Sequence, residues 1–334
     1  MARQQTNLAE APSVDEAKEP GRLLLLTAKI GPDILLLALF SALLLVLGLI
    51  FRAGIHLKEG AILLPSALAL GFFAVAFVTS RGNLREKVRE ILRDWLPFVG
   101  LNFVYQNLRM YTGLIRPVPI DPALDRADRA LFGGTSPTLW MGHVQTPILT
   151  DLMALAYGLY FILPLTLIAL LYFRHRREDL RELQLAIVMV FLAGFLLFIL
   201  FPAGPPRFYG PLRPLFDPPQ LTSYFGVWEW SQSAWDSVNP VKIYASFPSL
   251  HCALAMVTFL YACRFSDLLK RRFVIPAVVG PLCASLWLST VYLRHHWVVD
   301  VLAGWMLGLL CFKASRMLED SIRPVRRAMR RRAP

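Results

Sequence analysis

The chain has 334 residues, 56% of them hydrophobic, and a mean hydropathy of +0.50. That is more apolar surface than a soluble domain can bury, so lipid must solvate much of it. The net charge of +12 sits in short clusters between apolar stretches and in the tail after Arg316, a pattern that serves membrane orientation and anionic headgroups and argues against a nucleic-acid partner.

The N-terminus is polar and has no signal-peptide core, which predicts a disordered cytoplasmic tail over residues 1–30. A helix needs about 20 apolar residues to cross the hydrocarbon, and eight candidate spans follow along the chain. Those over 34–51 and 61–80 make a pair of extra N-terminal helices within 31–93. A six-helix core over 94–315 takes 95–108, 148–173, 185–201, 252–263, 273–293 and 297–312, and a basic cytoplasmic tail occupies 316–334. The expected fold is therefore an all-α polytopic membrane protein.

Basic loops at 81–93, 174–181 and 264–272, together with the C-terminal tail, fall on one side of such an eight-span arrangement. That side is the cytoplasm, and both termini belong to it. The other face receives the loop before residue 148, the long loop 202–248 and the short turn 294–296. The long loop carries Pro202, Pro205, Pro206, Pro211, Pro214, Pro218 and Pro219 ahead of Trp228, Trp230 and Trp235. It cannot be one helix and is expected as an ordered interfacial cap. Asp121, Asp125 and Asp128 alternate with Arg126 and Arg129, as on a solvated amphipathic stretch. Gly304 and Gly308 have the small-xxx-small spacing of close helix packing. Cys252, Cys263, Cys283 and Cys311 lack the paired spacing of a zinc or redox site and are expected as small core residues.

Three polar segments meet at the non-cytoplasmic face: Arg109 with Arg116, then Pro248-Ser249-Leu250-His251, then His296 through Asp300. Asp300 follows His296 by four residues, so on a helix the carboxylate can hold one ring nitrogen protonated and leave the other free to attack phosphorus. The same pair would also serve as a simple helix cap. His251 opens a span, where it can act as a general acid. Ser249 either donates to a phosphoryl oxygen or caps that helix. Arg109 and Arg116 would face one phosphate if a helix ran on past Gly113, or would snorkel to headgroups. Two other arrangements use the same residues: a Zn²⁺ ion held by His251, His296 and Asp300, or a lipid carrier that only recognises headgroups.

Arg109 and Arg116, Pro248 through His251, and His296 through Asp300 together resemble the three-part signature of the type 2 phosphatidic acid phosphatase superfamily. That superfamily includes lipid phosphatases, vanadium haloperoxidases and inositol phosphorylceramide synthases. The resemblance implies a phosphohistidine at His296, general acid His251, orienting Asp300, and phosphate contacts from Arg109, Arg116 and Ser249, with no metal or other cofactor. The pattern departs at Ser289-Thr290, where the family has Ser-Arg, and at Leu250, where it has Gly. Arg294, one turn beyond Thr290, or Arg207 in the Pro-rich stretch would supply the missing charge. Pro205-Pro206-Arg207, Phe247 through His251 and Tyr292 through Trp297 resemble the inositol phosphorylceramide synthase branch, which implies a phospholipid donor and a lipid alcohol acceptor. Water would take the alcohol's place in a phosphatase.

Overall fold

A computed structural model describes residues 21–51, 86–108, 111–113, 115–238 and 244–331. The span expected over 61–80, Arg109 and most of the 1–30 tail lie outside the described residues. Among the described residues, ten helices of nine residues or more carry the architecture: α1 (Arg22–Ile30), α2 (Pro32–Ile50), α3 (Glu86–Leu108), α4 (Asp121–Leu131), α5 (Pro147–Phe173), α6 (Arg177–Leu200), α7 (Val227–Val238), α8 (Leu250–Arg264), α9 (Val274–Tyr292) and α10 (Val298–Arg331). Among the described residues no β-strand forms, and an isolated parallel bridge pairs Ala203 with Ala245.

The protein is an all-helical, multi-pass membrane protein. Helices α2, α5, α6, α9 and α10 are long and apolar enough to cross a bilayer, and they cover, to within one residue at the ends, the spans expected over 34–51, 148–173, 185–201, 273–293 and 297–312. The stretches 95–108 and 252–263 are helical within α3 and α8, and α8 is a shorter apolar helix. Helix α6 is buried over 67% of its apolar window, against 33% for α9 and α10, which makes it the packing centre. Lipid faces the outer helices through Leu155, Phe161 and Ile162 of α5, Val278 and Leu288 of α9, and Leu302, Met306 and Leu310 of α10, all exposed.

Local chemistry sets the helix ends. Thr146 caps α5 by accepting the Leu149 N–H at 3.3 Å, with Pro147 in the first turn. Gly31 turns the chain between α1 and α2 at φ 103°, a conformation glycine adopts freely. Asp33, just beyond it, is buried and paired to Arg93 of α3 by two hydrogen bonds of 2.9 and 2.6 Å.

Helices α8 and α10 lie side by side. Gly304 and Gly308 make this contact possible: a Cβ on Gly304 would collide with the Ser249 carbonyl oxygen, and one on Gly308 would come within 2.6 Å of the Ala253 carbonyl oxygen. Gly304→Ala must therefore push the two helices apart. A loss of about 1–3 kcal/mol is expected from such overpacking, measured as a lowered thermal transition of the purified protein.

At the opposite ends of these helices, buried Glu182 of α6 is gripped by Arg264 of α8 at 2.9 Å and Arg323 of α10 at 2.7 Å, with Arg316 at 4.0 Å. The basic segment after Arg316 continues α10 without a break to Arg331.

Candidate active site

The site forms where α8 and α10 begin. Ser249 caps α8, accepting the Cys252 N–H at 3.3 Å, and its own N–H donates to the Asp300 carbonyl at 3.0 Å. This bond ties the first turns of the two helices together. His251 therefore stands in the first turn of α8, beside the chain that leads into α10.

Helix α9 stops at Tyr292 because Arg294 takes a positive φ of 60°. The Thr290 carbonyl then accepts both the His295 N–H at 2.9 Å and the His296 N–H at 3.1 Å. His296 consequently lies two residues ahead of α10 and not within a helix, and Asp300 folds back to it from the first turn. The Asp300 carboxylate oxygen Oδ2 accepts the Trp297 N–H at 3.1 Å and the Ser246 hydroxyl at 3.0 Å, and lies 3.3 Å from His296 Nδ1. On the other side, His296 Nε2 is 3.4 Å from His251 Nδ1. His296 and Asp300 are buried. With a proton on Nδ1 shared with Asp300, the Nε2 lone pair faces His251 and whatever lies against it.

Sequence reasoning missed the supports. Ser246 bridges Asp300 and His296, with its Oγ 3.2 Å from His296 Nδ1. Tyr157 of α5 is sandwiched between His251 and His295, with ring centroids 4.4 and 4.5 Å away, and Tyr160 leans on His251 at 4.2 Å. The i, i+3 spacing of the tyrosines was the available signal, and it is shared by many core helices. His295 is buried between Tyr157 and Trp228, with the Trp228 centroid at 5.7 Å. Burial, helped by Arg207, holds its imidazole well below the ordinary histidine range.

The structure distributes the expected phosphate contacts unevenly. Helix α3 ends at Leu108 and Gly113 takes φ 91°, so no continuous helix carries Arg116, which is exposed. Arg294 is placed by the cap and not by helical spacing from Thr290: it donates to the carbonyls of Pro218 and Pro219 at 2.8 and 3.2 Å and to Gln145 Oε1 at 2.7 Å, and stacks over Phe216. Burial lowers its pKa to about 10, so it stays a cation at neutral pH. Arg207 donates its N–H to the Arg294 carbonyl at 3.3 Å and its Nη1 to Gln232 at 2.5 Å. Both arginines line a cavity of about 740 Å³ with Gln220, Trp228, Glu229 and Gln232, and the Trp228 ring in turn packs against His295. Asp128, expected on a solvated face, is fully buried against the start of α10. Among the described residues, no group of three or more His, Cys, Asp or Glu side chains is arranged to hold a metal ion.

Residues 122–314, more than half of the chain, match the sequence profile of the PAP2 superfamily. The phosphoinositol dihydroceramide synthase of Bacteroides thetaiotaomicron is 27% identical over 240 residues, covering 66% of this chain and 75% of that protein. The inositol phosphorylceramide synthase of Candida albicans is 29% identical over 189 residues, 53% of this chain and 38% of the relative. Phosphatidylglycerophosphatase B of Bacillus subtilis is 30% identical over 86 residues, 24% of this chain and 42% of that protein. No solved structure matches the chain significantly.

Proposed function

From the premise that this chain belongs to the PAP2 superfamily, we propose that it is a membrane phosphotransferase which moves a phospho-headgroup from a phospholipid donor to a lipid alcohol through a phosphohistidine at His296. The observation that carries this reading is the alignment of Asp300, His296 and His251, with one imidazole nitrogen of His296 on the carboxylate and the other 3.4 Å from His251.

In the first step His296 Nε2 attacks phosphorus. The P–N bond forms, the P–O bond to the diacylglycerol breaks, and His251 gives its proton to the leaving oxygen. Asp300 stabilises the imidazolium character that develops on His296. In the second step a lipid hydroxyl attacks the phosphorus, its proton passes to His251, and the P–N bond breaks. Arg207 and Arg294, with Ser249 and the exposed Arg116, are the cations and donors assigned to the phosphate. Arg109 joins them on the family pattern alone.

The synthases of Bacteroides and Candida among its relatives favour a lipid alcohol as acceptor, with inositol phosphate as the transferred group. The similarity to a phosphatidylglycerophosphatase supports a second reading in which water is the acceptor. The site lies on the non-cytoplasmic face in this proposal, because the arginine clusters occupy the far ends of α8 and α10, and both termini are cytoplasmic. The test incubates the full-length protein in bilayers with labelled phospholipids, with and without ceramide or diacylglycerol, and identifies products by mass spectrometry. A new phosphodiester lipid that requires the added alcohol is the expected product. Release of free headgroup phosphate alone, whatever alcohol is present, would replace the transferase reading by the phosphatase one.

A further inference from the structure

Helix α4 presents Asp121, Leu124 and Asp128 at positions i, i+3 and i+7, a single face. Leu124 buries in a cluster with Ala203, Leu212, Phe216 and Trp297. The two carboxylates bracket it. Asp121 accepts the Gly204 N–H at 2.7 Å, and the Gly204 carbonyl in turn accepts the Trp297 indole N–H at 3.2 Å. Asp128 accepts the N–H groups of Val298 at 3.0 Å and Val299 at 2.9 Å. The outward positions are spent differently, with Asp125 paired to Arg129 four residues on at 3.0 Å.

The amides of Val298 and Val299 open α10 and have no partner inside that helix. A carboxylate supplied from 170 residues away satisfies both and complements the positive end of the helix. Asp128 is fully buried, so it has no solvent to fall back on if the amides move. The turn that carries His296 is thus fixed from two sides: Thr290 holds its backbone from α9, and Asp128 holds the residues immediately after it from α4.

We infer that Asp128 is a positioning residue for the nucleophile, acting through the first turn of α10 to hold His296 and Asp300 in register with His251. This inference rests on the phosphohistidine reading for its effect on rate, while its structural half stands on its own. Misplacing a reacting group by about 1 Å costs up to 100-fold, and a freed helix start allows movement on that scale.

Asp128→Asn keeps the size of the side chain and one acceptor, but turns an NH₂ toward the second amide. Expected are a fall in kcat of about tenfold to 100-fold, a donor KM within about threefold of wild type, and faster hydrogen exchange in a peptide covering residues 297–302. Asp128→Ala should do the same, and Asp125→Asn on the outward side should do neither. Rates are to be expressed per active site, titrated by trapped phosphoryl-enzyme, so that misfolded protein does not count. Wild-type exchange in the 297–302 peptide of Asp128→Asn, or an unchanged kcat per titrated site, would overturn the inference. If the wild type traps no phosphoryl group, the chemistry proposed for His296 fails by itself, and the exchange comparison still decides whether Asp128 holds the turn.

Discussion

His296→Asn is expected to lower turnover on every phospholipid donor by about 10,000-fold or more, the scale on which enzymes lose rate when a covalent nucleophile is removed. Asparagine can still donate to Asp300 from its amide, so the network through Ser246 and Trp297 is retained. What it lacks is a second nitrogen with a free lone pair at the position of Nε2. The acid-labile phosphate that wild-type protein traps when quenched during turnover should disappear together with the product. Undiminished transfer by His296→Asn, or labelling that persists at another residue, would remove the basis for the phosphohistidine. Asp300→Asn is the informative companion, because it leaves the nucleophile present and removes only the group that fixes its tautomer.

How far the sequence could be read depended on whether contacts were local. The apolar spans were visible because each extends over a stretch of chain long enough to cross the hydrocarbon. His296 and Asp300 were visible as a pair four residues apart, and they do meet, though for a different reason than helical spacing. The positive φ at Arg294 ends α9 early and places His296 in a turn, with Asp300 reaching back to it. The same event separates Arg294 from Thr290, so the helical argument linking them did not apply. Gly113 had a similar effect on Arg116. Ser246 lies 54 residues from Asp300, and Tyr157 lies on a different span from either histidine, so no local period could announce them. Asp128 was misread because a carboxylate in a charged run looks identical whether it faces water or two distant backbone amides. Only the tertiary contact at Val298 and Val299 distinguishes the two.

His251→Asn should reveal its role through the leaving group. A diacylglycerol oxygen departs poorly as an alkoxide, and loss of the acid is expected to slow formation of the phosphoryl-enzyme by about 100- to 10,000-fold. A nitrophenyl phosphodiester leaves as a stable phenolate and needs no proton, so the same substitution should cost that donor less than about tenfold in the first step. The second step has no such relief, because the lipid alcohol or water must still lose a proton to a base at His251. The nitrophenyl donor should therefore load His296 and stall there, and His251→Asn should accumulate more trapped phosphoryl-enzyme than wild type does. Quenched-flow measurement of bound label against released nitrophenolate reads both steps. Equal losses on the two donors, without accumulation, would mean that the ring stacked on Tyr157 and Tyr160 serves to shape the pocket and moves no proton. The structure favours the chemical role: the 3.4 Å separation of the two imidazole nitrogens puts the proposed acid beside the atom that would carry phosphorus. The flanking tyrosine rings limit where that acid can turn.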